Sequence, residues 1–444
     1  MTPEELRECG VRLVALVLVD NGGIARMKCV PIDRLAHAAE RGIGWSAVWG
    51  LSLSDDSFAH EPGLYSPSGD VRLRADLGAA AVLGCSPGWA WAPIDHYEQS
   101  GEPWPGCQRR FLRRMAERAA ARGVEIKLAW ELEWSVGADG PDGFEALHAG
   151  PGYGAATFGR TADFMLELLG GLEESGLVPE QIHPEYSDGQ MELSLAPRDP
   201  LGACDESVLA RHIVRAVAAN QGWDASFSPR VVLGSVGNGA HVHLSVWSEG
   251  ENQLAGGAGP EGLRPLGEAF LAGMLEALPA LTAIGAPIAL SYARLEPSHW
   301  AGVYACWGNE NREAALRLEG AGTPGVGGSA NVEWKSADGA ANPYLAAGGL
   351  IAAGLDGLER DLRLPPPVEV DPHELGEEER RAGRIARIPE RLADAAGALA
   401  ESDVLREAMG PYLHDRIVAV RRTEAAAAEG LDEETLVATY RWRF

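Results

Sequence analysis

The 444-residue chain is long enough for two domains or one large one, and its 46% hydrophobic content is too high for a disordered polypeptide. A formal net charge of −26 argues against nucleic acid and against an anionic membrane surface as partners, while leaving room for a locally positive pocket. Six cysteines (Cys9, Cys29, Cys85, Cys107, Cys204, Cys306) form no CxxC pair, a pattern of reduced thiols and of neither a disulfide framework nor a zinc site. The acidic Met1-Thr2-Pro3-Glu4-Glu5 is no signal peptide, and no apolar segment is expected to reach the ~20 residues that span a bilayer. The expectation is a soluble, cytoplasmic protein.

In chain order, residues 11–19 are an apolar run closed by Asp20-Asn21-Gly22-Gly23, and residues 24–30 resume it, which predicts a hairpin about an Asn-Gly turn. From 45 to 105, Gly, Pro, Ser and Asp punctuate short apolar pieces, so small strands and loops are expected. A joint, Glu102-Pro103-Trp104-Pro105-Gly106, precedes a basic helix-like run over 108–122, stopped by Gly123. A domain boundary falls there, giving an N-terminal domain of residues 1–104 and a larger domain of residues 105–444. Beyond it strands and helices alternate. Residues 124–136 read as a strand, 161–175 as a helix capped by Thr161, 190–195 as a strand and 205–220 as a helix. Residues 231–247 read as a strand interrupted by Gly237-Asn238-Gly239, and 263–283 and 343–358 as helices. The tail from Pro389 is charged and alanine-rich, hence mostly helix, and the glycine-rich 320–329 reads as a loop.

Four places carry metal-ligand side chains: Glu131-Leu132-Glu133, Glu185 with Glu192, His241-Val242-His243, and Glu333. Residues two apart on a strand share a face, so Glu131 and Glu133 would stand side by side, each resisting ionisation of the other. Their apolar neighbours Leu128, Trp130 and Trp134 place them where charge needs a partner. A divalent cation removes that cost, and oxygen ligands with one imidazole suit Mg²⁺ or Mn²⁺ better than zinc. A second constellation, Arg294, Arg312, Arg317 and Lys335, supplies what polyphosphate binding needs. No GxxxxGK[ST] or GxGxxG motif is present, so neither common nucleotide-binding fold applies.

These residues resemble the glutamine synthetase family of the type I, dodecameric kind. The resemblance runs over nearly the whole chain, through Glu131-Leu132-Glu133, His183-Pro184-Glu185 to Gly189-Gln190-Met191-Glu192, and Gly239-Ala240-His241-Val242-His243-Leu244-Ser245. It continues through Ser291-Tyr292-Ala293-Arg294, Asn311-Arg312 and Asn331-Val332-Glu333-Trp334-Lys335, then Ala341-Asn342-Pro343-Tyr344. It implies an α+β fold: a small N-terminal β-grasp domain, then a catalytic domain with a curved antiparallel sheet, a partial barrel, flanked by helices. It also implies ATP and two or more Mg²⁺ or Mn²⁺ ions per site. Glu133, Glu185 and Glu192 would hold one metal and Glu131, His241 and Glu333 the other. His243, Ser245 and Arg317 would face ATP, with Arg312 between ATP and glutamate. Gly237 and Arg294 would hold L-glutamate, and Lys335 would approach its reacting carboxylate. The assembly implied is two stacked hexameric rings with sites between subunits.

The sequence departs from the ammonia-using members in one telling place. Where they carry a flap glutamate after the glutamate-binding arginine, the register from Arg294 through Leu295-Glu296-Pro297-Ser298-His299 arrives at Trp300. No aspartate followed by Gly-Ser-Ser occurs near Gly44 to Trp49. An indole suits an amine with a carbon substituent, since its face accepts both an apolar body and a cation. The resemblance therefore points to the γ-glutamyl–amine ligases of the family, with a primary amine or polyamine as acceptor. An ammonia-using glutamine synthetase, with Glu296 or His299 shifted into the role, and a non-catalytic member are the alternatives. Asn331 stands where an arginine is usual, Lys335 replaces another, and the absence of tyrosine between Tyr344 and Tyr412 removes the family's adenylylation-type control.

Overall fold

The computed structural model describes residues 1–140, 143–321 and 327–444. It begins with α1 (Pro3–Glu8), whose Thr2 and Glu5 form a reciprocal capping box. The hairpin β1 (Leu13–Val19) and β2 (Ala25–Pro31) follows, with Val19 opposite Ala25 across the Asn-Gly turn. Next come α2 (Leu35–Glu40), β3 (Ile43–Trp45), β4 (Val71–Ala75), β5 (Ala81–Val82) and β6 (Trp89–Tyr97). The sheet order is β2-β1-β6-β4-β3, with β1 and β6 parallel at the centre and β5 on β6, which is the β-grasp arrangement. One face of this sheet packs Leu16, Leu18, Leu73 and Ile94 into a core of its own. On the other, Ala15, Val17 and Trp91 belong to the core of the rest of the chain.

That larger part is built on β7 (Glu125–Gly140), β8 (Gly143–Ala146), β9 (Pro179–Pro184), β10 (Gln190–Leu195), β11 (Asp224–Ser226), β12 (Ala240–Ser248) and β13 (Glu251–Asn252). It is completed by β14 (Tyr304–Asn309), β15 (Ala314–Glu319), β16 (Asn331–Trp334) and β17 (Ala386–Arg387). The strands order β17-β14-β15-β16-β12-β7-β10-β9 in one curled sheet. All described pairs are antiparallel except β14 with β15. Ile126, Leu128, Trp130, Leu132 and Trp134 of β7 alternate into the core, and the helices cover that face. They are α3 (Gln108–Ala120), α4 (Phe158–Glu174), α5 (Pro200–Asn220), α6 (Pro265–Gly285), α7 (Ser291–Arg294) and α8 (Pro343–Glu359), followed by α9 (Glu377–Ala382), α10 (Leu392–Glu401), α11 (Asp403–Met409), α12 (Pro411–Ala427) and α13 (Glu433–Tyr440). The backbones of α6 and α8 touch at glycines: a Cβ on Gly273 would lie 2.1 Å from the Ala353 carbonyl oxygen.

Four sequence expectations change. Helix α4 starts at Phe158, and Thr161 is no cap: buried in the first turn, it donates its hydroxyl to the Thr157 carbonyl. Helix α5 starts five residues earlier than expected, because Asp199 caps it and Pro200 occupies the first position, where a missing N–H costs nothing. Residues 231–239 are not strand; β12 begins at Ala240, after the glycine pair has turned the chain. Finally, α6 is long and apolar enough to cross a bilayer, against the expectation of none, but 78% of its most apolar stretch is buried inside the protein, as in a core helix. Of the loop expected at 320–329, residues 322–326 lie outside the described residues.

A buried cation links the two sheets through their helices. Arg109, at the start of α3, donates to both oxygens of Asp205 on α5 at 2.9 and 2.6 Å. It also meets Asp95 of β6 at 3.2 Å and Asp76 at 2.9 Å. Asp205 accepts a further hydrogen bond from Tyr344 of α8. Removing this cation would leave the buried Asp205 and Asp95 without their shared partner. Arg109→Met should therefore lower the unfolding free energy by about 3–5 kcal/mol, measured by urea denaturation. A loss below about 1 kcal/mol would show that the carboxylates find other partners.

Candidate active site

Side chains of one band cross the sheet on the face opposite the tryptophans of β7. Glu131 and Glu133 are two apart on β7 and share a face. Strand β10 sets Glu192 opposite Glu133, and β9 sets His183 opposite Glu192. On the other side β12 sets His241 opposite Glu131 and His243 opposite Glu333 of β16, and β15 brings Arg317 opposite Glu333. Cross-strand partners stand side by side, so the pairing register alone collects four carboxylates and three imidazoles.

At one end Glu131 Oε1 lies 2.7 Å from His241 Nδ1, and Glu333 Oε1 lies 3.2 Å from the same nitrogen. His241 Nε2 accepts from Arg294 at 3.1 Å, so Nδ1 carries the proton directed at the carboxylates. His243 is 3.7 Å from Glu131 and shares its Nδ1 with Asn331 at 2.9 Å. Lys335 donates to Glu333 at 2.8 Å. Burial would raise Glu131 and Glu333. Hydrogen bonds from the two histidines hold Glu131 well down instead, and Lys335 with both histidines does so for Glu333.

At the other end the balance reverses. Burial, together with Glu131, Glu133 and Glu185, pushes Glu192 up, although His183 lies 3.1 Å from it. Burial and Glu133 push up Glu185, against hydrogen bonds from the Tyr153 hydroxyl and the Tyr186 amide. Donor atoms lie within 4.8 Å of one another in three sets: Glu131, His243 and Glu333; Glu131, Glu133 and His241; His183, Glu185 and Glu192. Glu133 therefore stands with Glu131 and His241, drawn there by Gln190 and the Gly239 amide, each donating at 2.8 Å. Crowded oxygens with imidazole at the margin, some resisting ionisation, are a donor set that fits hard divalent cations.

Around the band, Arg294 is 4% exposed, and its Nη1 has no hydrogen-bond partner among the described residues. Gly237 holds a φ of +89°, and a Cβ there would lie 2.4 Å from the Pro229 carbonyl and 3.2 Å from Arg294 Cγ. Only glycine lets that loop close on the arginine. Arg317 is held by Glu310, Glu319 and Glu333. Ser245 accepts from Trp247 Nε1 at 2.9 Å, two residues further along β12. Arg312 is exposed and pairs with none of the described residues. Trp300 is 43% exposed with φ +57°; its amide donates to Glu313 at 2.9 Å, and its ring meets Tyr186 edge-on, 5.4 Å between centroids. Glu296, the alternative flap carboxylate, lies 3.8 Å from buried Arg230 and 3.9 Å from His299.

Sequence reasoning gave no role to His183, Gln190, Asn238, Tyr153 or Tyr186. His183 carries a signal in the sequence, since it precedes Glu185 by two where β9 ends. Asn238, buried and donating to the Ser226 and Ser228 carbonyls, became visible only once the loop was folded. The donor sets lead to a measurable expectation. Calorimetric titration of chelator-treated protein with Mn²⁺ should give at least two sites per chain, and Glu192→Gln should weaken one of them by at least about 10–100-fold. Unchanged stoichiometry and affinity in the variant would contradict the grouping.

Comparison with known proteins is consistent with this arrangement. The family described as glutamine synthetase, catalytic domain, matches residues 105–440. The chain is 46% identical to the γ-glutamylpolyamine synthetase GlnA3 of Streptomyces coelicolor over 444 residues, 99% of this chain and 95% of the relative. It is 32% identical to the glutamine synthetase of Pyrococcus horikoshii over 407 residues, 90% and 86% of the two chains. A solved GmaS/ADP complex superimposes with a TM-score of 0.85 at 27% identity, covering 99% of both chains. With its sheet, its acidic band and most of its length matched, this chain belongs to the glutamine synthetase family.

Proposed function

We propose that this protein is an ATP-dependent ligase joining the γ-carboxylate of L-glutamate to an amine with a carbon chain, a polyamine being the favoured class, through a γ-glutamyl phosphate. The observation that carries amine over ammonia is Trp300, an indole at the rim of the acidic band where ammonia-using members carry a carboxylate. The 46% identity to a γ-glutamylpolyamine synthetase supports the same choice. Residues 1–104 would form the β-grasp domain and 105–444 the catalytic domain. Unpaired cysteines suit a reducing cytoplasm.

In this reading Glu185 and Glu192, with His183 beside them, would hold one Mg²⁺ or Mn²⁺, joined by Glu133 once it turns from its present place beside Glu131 and His241, and Glu131, His241 and Glu333 would hold the second. The bound cations would neutralise phosphate charge during transfer. Arg294, whose Nη1 has no hydrogen-bond partner among the described residues, fits the role of binding glutamate with the Gly237 loop. Lys335 and Arg312 would draw the reacting carboxylate and the γ-phosphate together, while His243, Ser245 and Arg317 would face the nucleotide. A carboxylate becomes an acyl donor once its oxygen leaves as phosphate. The amine nitrogen then attacks the carbonyl carbon, the C–O bond to phosphate breaks, and the amide forms. An acyl phosphate hydrolyses readily, so the site must exclude water. A ring assembly, two stacked hexamers with a neighbouring β-grasp domain over each site, would supply that closure.

Phosphate release with ATP, glutamate and Mg²⁺ should depend on an added alkylamine or polyamine and yield the γ-glutamyl amide by mass spectrometry. Turnover with ammonium and with none of the alkylamines or polyamines would overturn the proposal. Trp300→Glu should raise kcat/KM for ammonium by about fivefold, the worth of one half-open ion pair of about 1 kcal/mol. No gain for ammonium in that variant would remove Trp300 from the amine site.

A further inference from the structure

Tyr186 follows Glu185 directly, yet it belongs neither to the acidic band nor to the core. Its amide donates to Glu185 Oε2 at 2.6 Å, while the Tyr153 hydroxyl donates to Oε1. The carboxylate is thereby held between two tyrosines, and the Tyr186 ring is fixed beside it. Although 50% exposed, that ring is not free to wander. Its edge meets Trp300 at an interplanar angle of 67°. On the other side it lies against Gly152, where a Cβ would come within 2.9 Å of Tyr186 Cδ2 and 3.2 Å of its Cα. Glycine at 152 therefore makes the room that the ring occupies.

The backbone around this pair is strained. Tyr153 (φ +55°), Ser298 (φ +59°) and Trp300 (φ +57°) occupy the left-handed region without being glycine. Such conformations persist where surrounding contacts hold them, and they cluster at ligand clamps. Ser298 is tied to Asp371 by its hydroxyl at 2.6 Å and Trp300 to Glu313 by its amide, so the indole is held toward Tyr186 by its own loop. Two exposed aromatic rings, each fixed from behind, beside an electron-rich carboxylate, are suited to a ligand with an aliphatic stem and a cationic end.

We propose that Tyr186 is a specificity-determining residue that forms, with Trp300, an aromatic wall receiving the carbon chain of the amine. This rests on the amine-ligase reading and adds a residue and a division of labour to it. The chain, and any distal ammonium, would lie along the ring faces while the reacting nitrogen enters beside Glu185. Ammonium has no stem to bury there, so the wall contributes to selection through what the favoured substrate gains.

Steady-state kinetics of the full-length protein with 1,4-diaminobutane, methylamine and ammonium test the assignment. Tyr186→Ala should raise KM for 1,4-diaminobutane by about tenfold, the effect of a few lost apolar contacts, with a smaller rise for methylamine and none for ammonium. The KM values for ATP and glutamate should hold, and Tyr186→Phe, which keeps the ring, should restore the diamine KM. Tyr186→Ala and Trp300→Ala should be non-additive, since each removes half of one wall. An unchanged diamine KM in Tyr186→Ala, or an equal rise in all three substrate constants, would overturn the inference. Failure of the ligase reading is distinguishable, because the wild-type protein would then show no amine-dependent phosphate release at all.

Discussion

Like charge gathered on one face of a sheet is the constraint around which this protein is arranged. Two carboxylates ~4 Å apart at an effective dielectric of ~20 repel by about 4 kcal/mol, and the band places Glu131, Glu133, Glu185, Glu192 and Glu333 among one another. Part of that repulsion is offset within the chain. Lys335 and the imidazoles of His241 and His243 hold Glu333 and Glu131 ionised, and Arg317 stands at the margin. At Glu192 and Glu185 the protein's own cations do not suffice, and burial with neighbouring carboxylates pushes both up. The unbalanced end is where a divalent cation would gain most, which supports the proposed metal site there.

Holding such a band requires a stiff support, and the structure provides it from behind and from the side. Tryptophans of β7 and β16 are buried under the helical layer, so the strands bearing the acids cannot shift register without exposing them. At the side, Asn238 ties the Gly237–Gly239 turn to the Ser226 and Ser228 carbonyls. That strip is itself fastened to the chain's last residues, because the Phe227 amide donates to the Phe444 carbonyl and the Ser226 hydroxyl donates to that of Arg441. The final turn of the polypeptide thus braces the loop that Gly237 and Arg294 share. Arg109 plays the corresponding part between the two sheets, where one guanidinium satisfies three aspartates from separate segments.

Much of this was legible in the residues. Alternation in β7, the Asn-Gly turn after β1, and the basic run of α3 each carry a local signal, and the structure has them within a few residues of expectation. Errors fell where local signals compete. An apolar run over 231–236 resembled strand, but the glycines beyond it turn the chain before pairing begins. Thr161 looked like a helix cap because threonine caps often; the helix started earlier and buried it. The site divided in the same way. Acids and histidines at alternate positions pointed to a candidate metal centre; the spacing of His183 to Glu185 was equally visible, but its place beside Glu192 comes from the pairing of β9 with β10.

By itself the sequence determined the chemistry available: an acidic, cysteine-poor-in-motif chain with carboxylates and imidazoles at strand spacing, four isolated cations, and a tryptophan where an acid is usual. Side-chain type and period are local properties, and they survive in the linear text. Tertiary structure decided which of those groups meet. Pairing register set Glu192 against Glu133 and His241 against Glu131, and the folding of a distant loop brought Trp300 onto Tyr186, whose ring occupies the room that Gly152 leaves. Contacts between residues dozens of positions apart or more depend on how sheets and loops close in space, and no spacing along the chain encodes them.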